Sequence, residues 1–387
     1  MTAVPTRAPL FADVALYTDM SAAEPLWRRI ETAPDTVLTP YQRFDLLAGW
    51  QRHVGARKGV TPLITVGLDP AGAPACLWPL GRHAVGGTFQ AEFLGGKHAN
   101  FNSAIWRRDV AARITAAELR TFLDRLGEAA DALVLLNQPR SWDGIANPLT
   151  LLPHSVSADP AYRGALATDF DALLAARMNA NKRKKLRNRE RALAQHGTVT
   201  FRRAASPQEA RAFLAAFQEQ KAERMRELGV DDVFAEPGVA DFLADAACRD
   251  HPVIELYALC AGDHIAATTG GIVAGGRFST MFNSIIRNEL AQASPGQLLL
   301  TRLVQSLCSR GLRTFDLGVG EAHYKEIFCN EVEPLFDSFL ALSPPGRMLA
   351  AANRALYAAK RTVKRTPALW AAVQAARRWR GRIATAR

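Results

Sequence analysis

The 387-residue sequence predicts an α+β protein that uses one layout twice. Three observations carry that reading. Helix, hairpin, strand, helix and strand signals follow one another in each half. A turn signal joins the hairpin in both. The length suits two cores of ordinary size better than one large core.

In the first half, Thr39 is a candidate cap and Pro40 suits the first helical position, before apolar residues Phe44, Leu47, Ala48, Trp50 and Val54. Residues 62–69 and 74–83 read as strands joined by Asp69-Pro-Ala-Gly72, and another strand candidate ends near Trp106. Residues 116–129 read as a helix and 131–137 as a buried strand. In the second half, Ser206-Pro-Gln-Glu209 opens a helix reaching about Leu228, and residues 237–249 form the next. Residues 253–260 and 264–273 form a hairpin; 277–286 is a strand, 295–310 a helix and 314–317 a buried strand.

The expected organisation is an N-terminal extension over 1–38, a first domain over 39–168, a second over 169–345 and a tail over 346–387. A basic helix at 177–195 would link the domains, and the tail reads as an Ala/Arg-rich helix interrupted at Pro367. The net charge of +11 is concentrated. Residues 177–191 hold eight Lys/Arg against Glu190, and 346–387 hold eleven with no acid, which leaves the remaining chain at −7. Such localised charge argues for contacts with an anionic partner at those segments.

Five scattered cysteines without a Cys-x-x-Cys pair fit a reducing compartment, so a cytoplasmic location is expected. No run approaches the ~18 apolar residues of a membrane span, and the N-terminus has no apolar signal region. His, Cys and carboxylates show no metal-ligand spacing, and no Gly-x-Ser-x-Gly elbow is present.

Two stretches concentrate chemistry. Ser294-Pro-Gly-Gln-Leu298 starts a helix, whose exposed N–H groups and partial positive charge suit a pyrophosphate; Gly296 omits a side chain where phosphate would approach. A plain Ser-capped helix explains the same letters. Residues 313–328 read as a strand breaking at a Gly-x-Gly turn into a short helix bearing Tyr324 and Lys325. Asp316, in an apolar strand, needs partners and could cap the turn without meeting substrate.

Together with Lys182–Arg191 and Gly95-Gly-Lys-His-Ala-Asn-Phe-Asn102, these motifs resemble the GNAT-type acyltransferase domain of CelD-like proteins, associated with cellulose or exopolysaccharide biosynthesis. More distantly, the layout is similar to the Fem aminoacyltransferases, which pair two GNAT-like domains. The resemblance covers most of 39–342 and implies tandem GNAT-like domains. It implies acetyl-CoA or another acyl-CoA as cosubstrate, with no bound cofactor, and a small-molecule or sugar-related acceptor. On it, Asn283, Ser284, Ser294, Pro295, Gly296, Gln297 and Leu298 would meet the donor, with Asn283 and Ser284 beside the pantetheine. Tyr324 would protonate the departing thiolate and Glu321 would serve as a base, with His323 a second candidate. Lys97, Asn102 and Lys325 would contact the acceptor. The family's Arg/Gln-x-x-Gly-x-Gly/Ala pattern is met only at Gly296, with Ala293 and Leu298 at its outer positions. Aminoacyl-tRNA, met by the basic helix, is therefore the alternative donor, and a non-catalytic scaffold in exopolysaccharide synthesis is a third reading. The tail, with Trp370 and Trp379 near arginines, suits peripheral contact with an anionic membrane; packing of Leu349, Leu356, Ala359 and Val363 on the second domain is the competing expectation.

Overall fold

Aliphatic runs punctuated by glycines at positive φ set the strands, and capped amphipathic stretches set the helices. The computed structural model describes residues 9–320 and 327–385, with side chains as far as Arg377. The chain begins β1 (Asp13–Tyr17), α1 (Met20–Glu31), β2 (Thr36–Val37), α2 (Phe44–Trp50), β3 (Thr61–Leu68), β4 (Pro74–Val85), β5 (Thr88–Phe93) and β6 (Ile105–Arg107). It continues α3 (Arg108–Ala111), α4 (Ala116–Leu126), β7 (Ala132–Pro139), β8 (Ser141–Trp142), β9 (Ile145–Ala146), β10 (Ser155–Val156) and β11 (Ala161–Ala165). Then come α5 (Phe170–Arg177), α6 (Ala180–Ala194), β12 (Val199–Arg203), α7 (Pro207–Leu228), α8 (Val239–Ala247), β13 (Glu255–Ala261), β14 (His264–Ala274) and β15 (Arg277–Ile285). The last elements are α9 (Pro295–Ser309), β16 (Thr314–Val319), β17 (Glu331–Glu333), β18 (Leu335–Ala341), α10 (Pro344–Arg365) and α11 (Pro367–Thr385).

The chain divides into two units. The first comprises residues up to Gly96, Phe101–Ser157 and Leu335–Ala358; the second comprises Lys97–Asn100, Ala158–Pro334 and Ala359 onward. The first sheet runs β1-β3-β4-β5-β7-β18-β10, with β6 on β4 and β2 on β6. The second runs β12-β13-β14-β15-β16-β11-β17. In each, the fourth and fifth strands are the one parallel pair, β5 with β7 and β15 with β16, and their other neighbours are antiparallel. The two units therefore repeat one mixed sheet flanked by helices, as the α+β reading expects.

The chain segments that complete each sheet differ from the expected partition. β18, late in the chain, closes the first sheet against β7, burying Leu335, Phe336, Phe339 and Leu340. β11, from before the expected boundary at 168, closes the second sheet against β16. Residues expected as an N-terminal extension supply β1, α1 and β2; Trp27 is fully buried and its Nε1 donates to Gln42 O at 3.0 Å. The strand expected to end near Trp106 is β6, paired on β4, and the fourth strand of the first sheet is β5, which was not expected. Its signal is Gly86-Gly87, at φ 54° and 80°, the two-residue turn that matches hairpin twist.

In the second unit, α6 is the expected basic helix, anchored by Leu186 and Leu193 while Lys182, Lys184, Lys185 and Arg187 stay exposed. α7 starts at Ser206, whose Oγ accepts from Glu209 N at 3.2 Å, and ends at Gly229 with φ 62°. On β14, Gly270 and Gly271 are demanded by packing, because a Cβ on either would stand 2.4 Å from the ring of Phe282 or Phe278. The tail breaks at Pro367 as expected.

Candidate functional site

The second sheet opens where β15 and β16 part. The two pair only at Arg277↔Thr314, Phe278↔Phe315 and Ser279↔Asp316, although β15 runs on to Ile285 and β16 to Val319. A buried charge cluster holds the apex. Asp316 Oδ2 accepts from Arg277 Nε at 2.8 Å and from Ser279 Oγ at 2.5 Å, and Asp316 Oδ1 accepts from Gly318 N at 3.0 Å. Arg277 Nη2 reaches Glu333 Oε2 at 2.8 Å. Burial opposes the charge on Arg277, and the carboxylates of Asp316 and Glu333 outweigh it, so its pKa rises. Burial pushes the Asp316 carboxyl up, with Arg277 and Ser279 acting against it. Asp316 thus caps the glycine turn, the use expected for it.

Asn100 wedges the opening. Its Nδ2 donates to Thr280 O on β15 at 2.9 Å, one residue past the last parallel pair. On the β16 side it abuts Gly318, at φ 68°, where a Cβ would stand 2.5 Å from Asn100 Nδ2. Gly318 is therefore needed both for its backbone conformation and for the wedge to fit.

A β-bulge decides which faces meet the opening. Gly270 opposes Phe282 and Gly271 opposes Thr280, which leaves Met281 as the extra residue. Beyond it, Phe282 packs on Phe217 of α7 at 4.2 Å and Ser284 Oγ donates to Gln220 Oε1 at 2.7 Å. The alternate residue Ile285 faces α9; a Cβ on Gly296 would meet its Cγ2 at 2.8 Å. A cavity of about 530 Å³ occupies this place. It is lined from one face of the sheet by Gln220, Lys221, Arg224 and Met225 of α7, and from the other by Ser294, Gly296, Gln297, Leu299, Leu300 and Leu303, with Thr268, Asn283, Ser284 and Leu317 between. It is a passage through the sheet. Burial, the main cause, draws the Lys221 ammonium below the ordinary lysine value, and its Nζ lies 5.6 Å over the Phe234 ring.

Five of the seven residues expected at the donor, Asn283, Ser284, Ser294, Gly296 and Gln297, meet at this cavity; Pro295 and Leu298 are buried in the core. Ser294 does not cap α9. It sits at φ 52°, ψ 54°, and its side chain makes no cap hydrogen bond. Gly296 has a packing reason, the close approach of α9 to β15, rather than an open space where phosphate would arrive. Gln297 Oε1 accepts from Arg189 Nη1, which brings the basic helix α6 to the start of α9.

Lys97 is exposed, 3.4 Å from Glu236 Oε1 in the second unit. Asn102 belongs to the first unit, where it occupies the equivalent opening. β5 and β7 pair only at Gln90↔Ala132 and Ala91↔Leu133. Farther along β7, Asn102 N donates to Asn137 O and its Nδ2 to Leu136 O, both at 3.1 Å. Thr39 Oγ1 and Gln42 Nε2 each donate to Phe101 O at 3.0 Å and hold that segment down. Glu321, His323, Tyr324 and Lys325 lie outside the described residues. Among the described residues, no group of His, Cys, Asp and Glu could hold a metal ion.

Asn100 stood inside the glycine-rich loop that sequence picked out, without a role. Arg189 belongs to the basic run that sequence picked out, whereas Gln220 and Lys221 carried no local signal, being polar positions on a long helix.

Residues 180–326 match the family model described as an acetyltransferase (GNAT) domain. The second unit carries a GNAT domain. Its matched stretch runs from the start of α6 to residue 326 and so includes Tyr324. No curated protein matches the chain. FemX superposes with a TM-score of 0.56 at 11% identity, over 87% of this chain and 100% of that one. The C-terminal DUF2156 domain of a proposed lysylphosphatidylglycerol synthetase from Agrobacterium fabrum gives 0.52 at 11% identity, over 87% and 97%. A conserved protein of unknown function from Bacteroides thetaiotaomicron gives 0.50 at 10% identity, over 85% and 100%. These likenesses are of fold: a GNAT-type acyltransferase fold that extends well beyond the matched domain.

Proposed function

We propose that the second unit transfers an acyl group from a coenzyme A thioester to an amine or hydroxyl. The observation that carries this reading is the passage through the sheet at the parted β15 and β16, ending at the start of α9. A non-glycine residue in the left-handed region costs of order 1–3 kcal/mol and persists where surrounding structure insists on it. Ser294 is such a residue, at the mouth of the cavity. In the first turn of α9 Pro295 has no N–H and the amides of Gln297 and Leu298 donate to Ser294 O at 3.0 and 3.4 Å, so the Gly296 N–H is the first-turn donor proposed to meet a ligand's pyrophosphate.

In this reading the thioester enters from the α9 face and the acceptor from the α7 face. The acceptor's nitrogen or oxygen attacks the thioester carbonyl, a C–N or C–O bond forms and the C–S bond breaks. Tyr324, assigned by its place in the sequence, gives its proton to the departing sulfur; Glu321, assigned in the same way, takes the proton of the nucleophile. Lys325 and Lys97 are proposed acceptor contacts on the same grounds. A sugar- or polysaccharide-related acceptor rests on the CelD-like motifs alone.

Calorimetric titration of the full chain with acetyl-CoA tests the reading, with one site expected. Absence of heat, together with retention of aminoacyl-tRNA, would favour the Fem-like alternative, for which the exposed lysines of α6 beside α9 are the supporting feature. Removal of a positioned general acid costs ~10²–10⁴ in rate, so Tyr324→Phe is expected to slow turnover to that extent.

The tail supports peripheral contact with an anionic membrane. Met348, Leu356 and Leu369 are exposed among its arginines and lysines. Gly346 and Ala350 are buried in the first unit, so truncation after Ala358 is the suitable variant. Anionic vesicles should sediment the full chain and not the truncated one; equal behaviour of both refutes membrane contact. Among the described residues, no helix is long and apolar enough to cross a membrane.

A further inference from the structure

Resting on the coenzyme A reading above, we infer that the donor's acyl group is an aliphatic chain of several methylenes and not acetyl. Five of the polar side chains that line the passage, Gln220, Thr268, Thr269, Ser284 and Gln297, already have hydrogen-bond partners. Gln220 Nε2 donates to Ile265 O at 2.7 Å, and its Oε1 accepts from Ser284 Oγ. Ser284 Oγ also lies 2.7 Å from Thr268 Oγ1. Thr269 Oγ1 donates to Phe282 O at 3.0 Å, and Gln297 Oε1 is held by Arg189. A ligand group placed among them finds few unsatisfied partners, which suits one that needs none.

The aliphatic part of the lining includes Met225, Ile285, Leu299, Leu300, Leu303 and Leu317. These residues do not merely rim the mouth. Leu303 lies seven positions beyond Gly296, about 10 Å along α9 at ~1.5 Å per residue, so the cavity extends well under the helix. An apolar void of about 150 Å³ already holds benzene. Part of the 530 Å³ here takes the donor's pantetheine arm, and the aliphatic wall beyond it faces water if the acyl group ends at one methyl. Met225, unbranched and adaptable, sits opposite the leucines on the α7 wall and can close on chains of different length. The charged lining residues, Lys221 and Arg224, both belong to α7; none lies on the α9 wall.

Each methylene moved from water onto such a wall strengthens binding roughly fourfold, about 0.8 kcal/mol. The test is calorimetric titration of the full chain with acetyl-CoA and with octanoyl-CoA, read as the ratio of their dissociation constants. Octanoyl-CoA is expected to bind on the order of 100-fold more tightly, since not every added methylene is fully buried. Leu303→Phe and Met225→Phe fill the passage from opposite walls, and each is expected to reduce that ratio at least tenfold, with circular dichroism checking the fold. A wild-type ratio near one overturns the inference while leaving the donor reading in place, as does a full ratio retained in a folded variant of either kind. Failure of both thioesters to bind overturns the donor reading itself.

Discussion

Ser294 and Asp316 show how single residues hold the opening. At φ 52°, Ser294 occupies a conformation that costs an L-residue ~1–2 kcal/mol and a glycine almost nothing. Ser294→Gly should therefore raise the urea midpoint, net of the ~0.4–1 kcal/mol that glycine adds to unfolded-chain freedom. Ser294→Val should lower it, because a β-branched side chain is least tolerated there. A change of the same sign in both variants would show that the left-handed backbone is not strained. Asp316 is fully buried, with Arg277, Ser279 and Gly318 donating to it. Removing one partner of a buried ion pair typically costs ~3–5 kcal/mol, because the other charge is stranded. Asp316→Asn is expected to cost about 3 kcal/mol in denaturant unfolding, somewhat softened by Glu333. A loss below about 1 kcal/mol would mean that Glu333 alone satisfies Arg277.

At the scale of elements, the first turns of α10 are fastened to the first sheet through Asp131. Its Oδ1 accepts from Ser343 Oγ at 2.5 Å, its Oδ2 from Phe89 N at 2.8 Å, and its carbonyl from Leu342 N at 2.8 Å. The Ser343 hydroxyl, and then the Phe89 amide, hold the carboxyl below its ordinary value. A depressed carboxylate contributes stability that is present above its unfolded pKa of about 3.9 and is lost as pH falls through the lower folded value. The stability difference between wild type and Asp131→Asn should thus shrink between about pH 6 and about pH 3. A constant difference in thermal midpoint over that range would show that the charge is not what fastens the helix. Much at this scale was legible in sequence. Ser206 and Pro295 open α7 and α9 as expected, α7 ends at Leu228, and Asp263 lies in the turn of the β13–β14 hairpin. The strand near Trp106 was legible as β6, whereas β5, announced by the Gly86-Gly87 turn, was not expected. The bulge at Met281 was not legible, since it is set by rings packing over Gly270 and Gly271.

Across the whole molecule, one sheet is made twice and used differently. The repeat was visible as an order of elements, because that order depends on local periodicity and turns. The exchange of β18 and β11 was not, because strand pairing between distant segments leaves no local trace. The same limit explains the site. Asn283, Ser284, Ser294, Gly296 and Gln297 follow one another along the chain and were found together. Lys221 and Asn100 reach the opening from other segments and were not. Nor could sequence tell the two openings apart. In the first unit Asn102 takes the carbonyls of Leu136 and Asn137, whereas in the second Asn100 stays at the apex and the passage beyond it is kept. Donor binding is therefore proposed for the second unit alone. Hydrogen–deuterium exchange of the full chain, with and without saturating coenzyme A, tests this most directly. The account predicts slowed exchange at residues 283–300, where β15 ends and α9 begins, and no change in β5 or β7. Slowed exchange in β5 and β7, or none at residues 283–300, would contradict it.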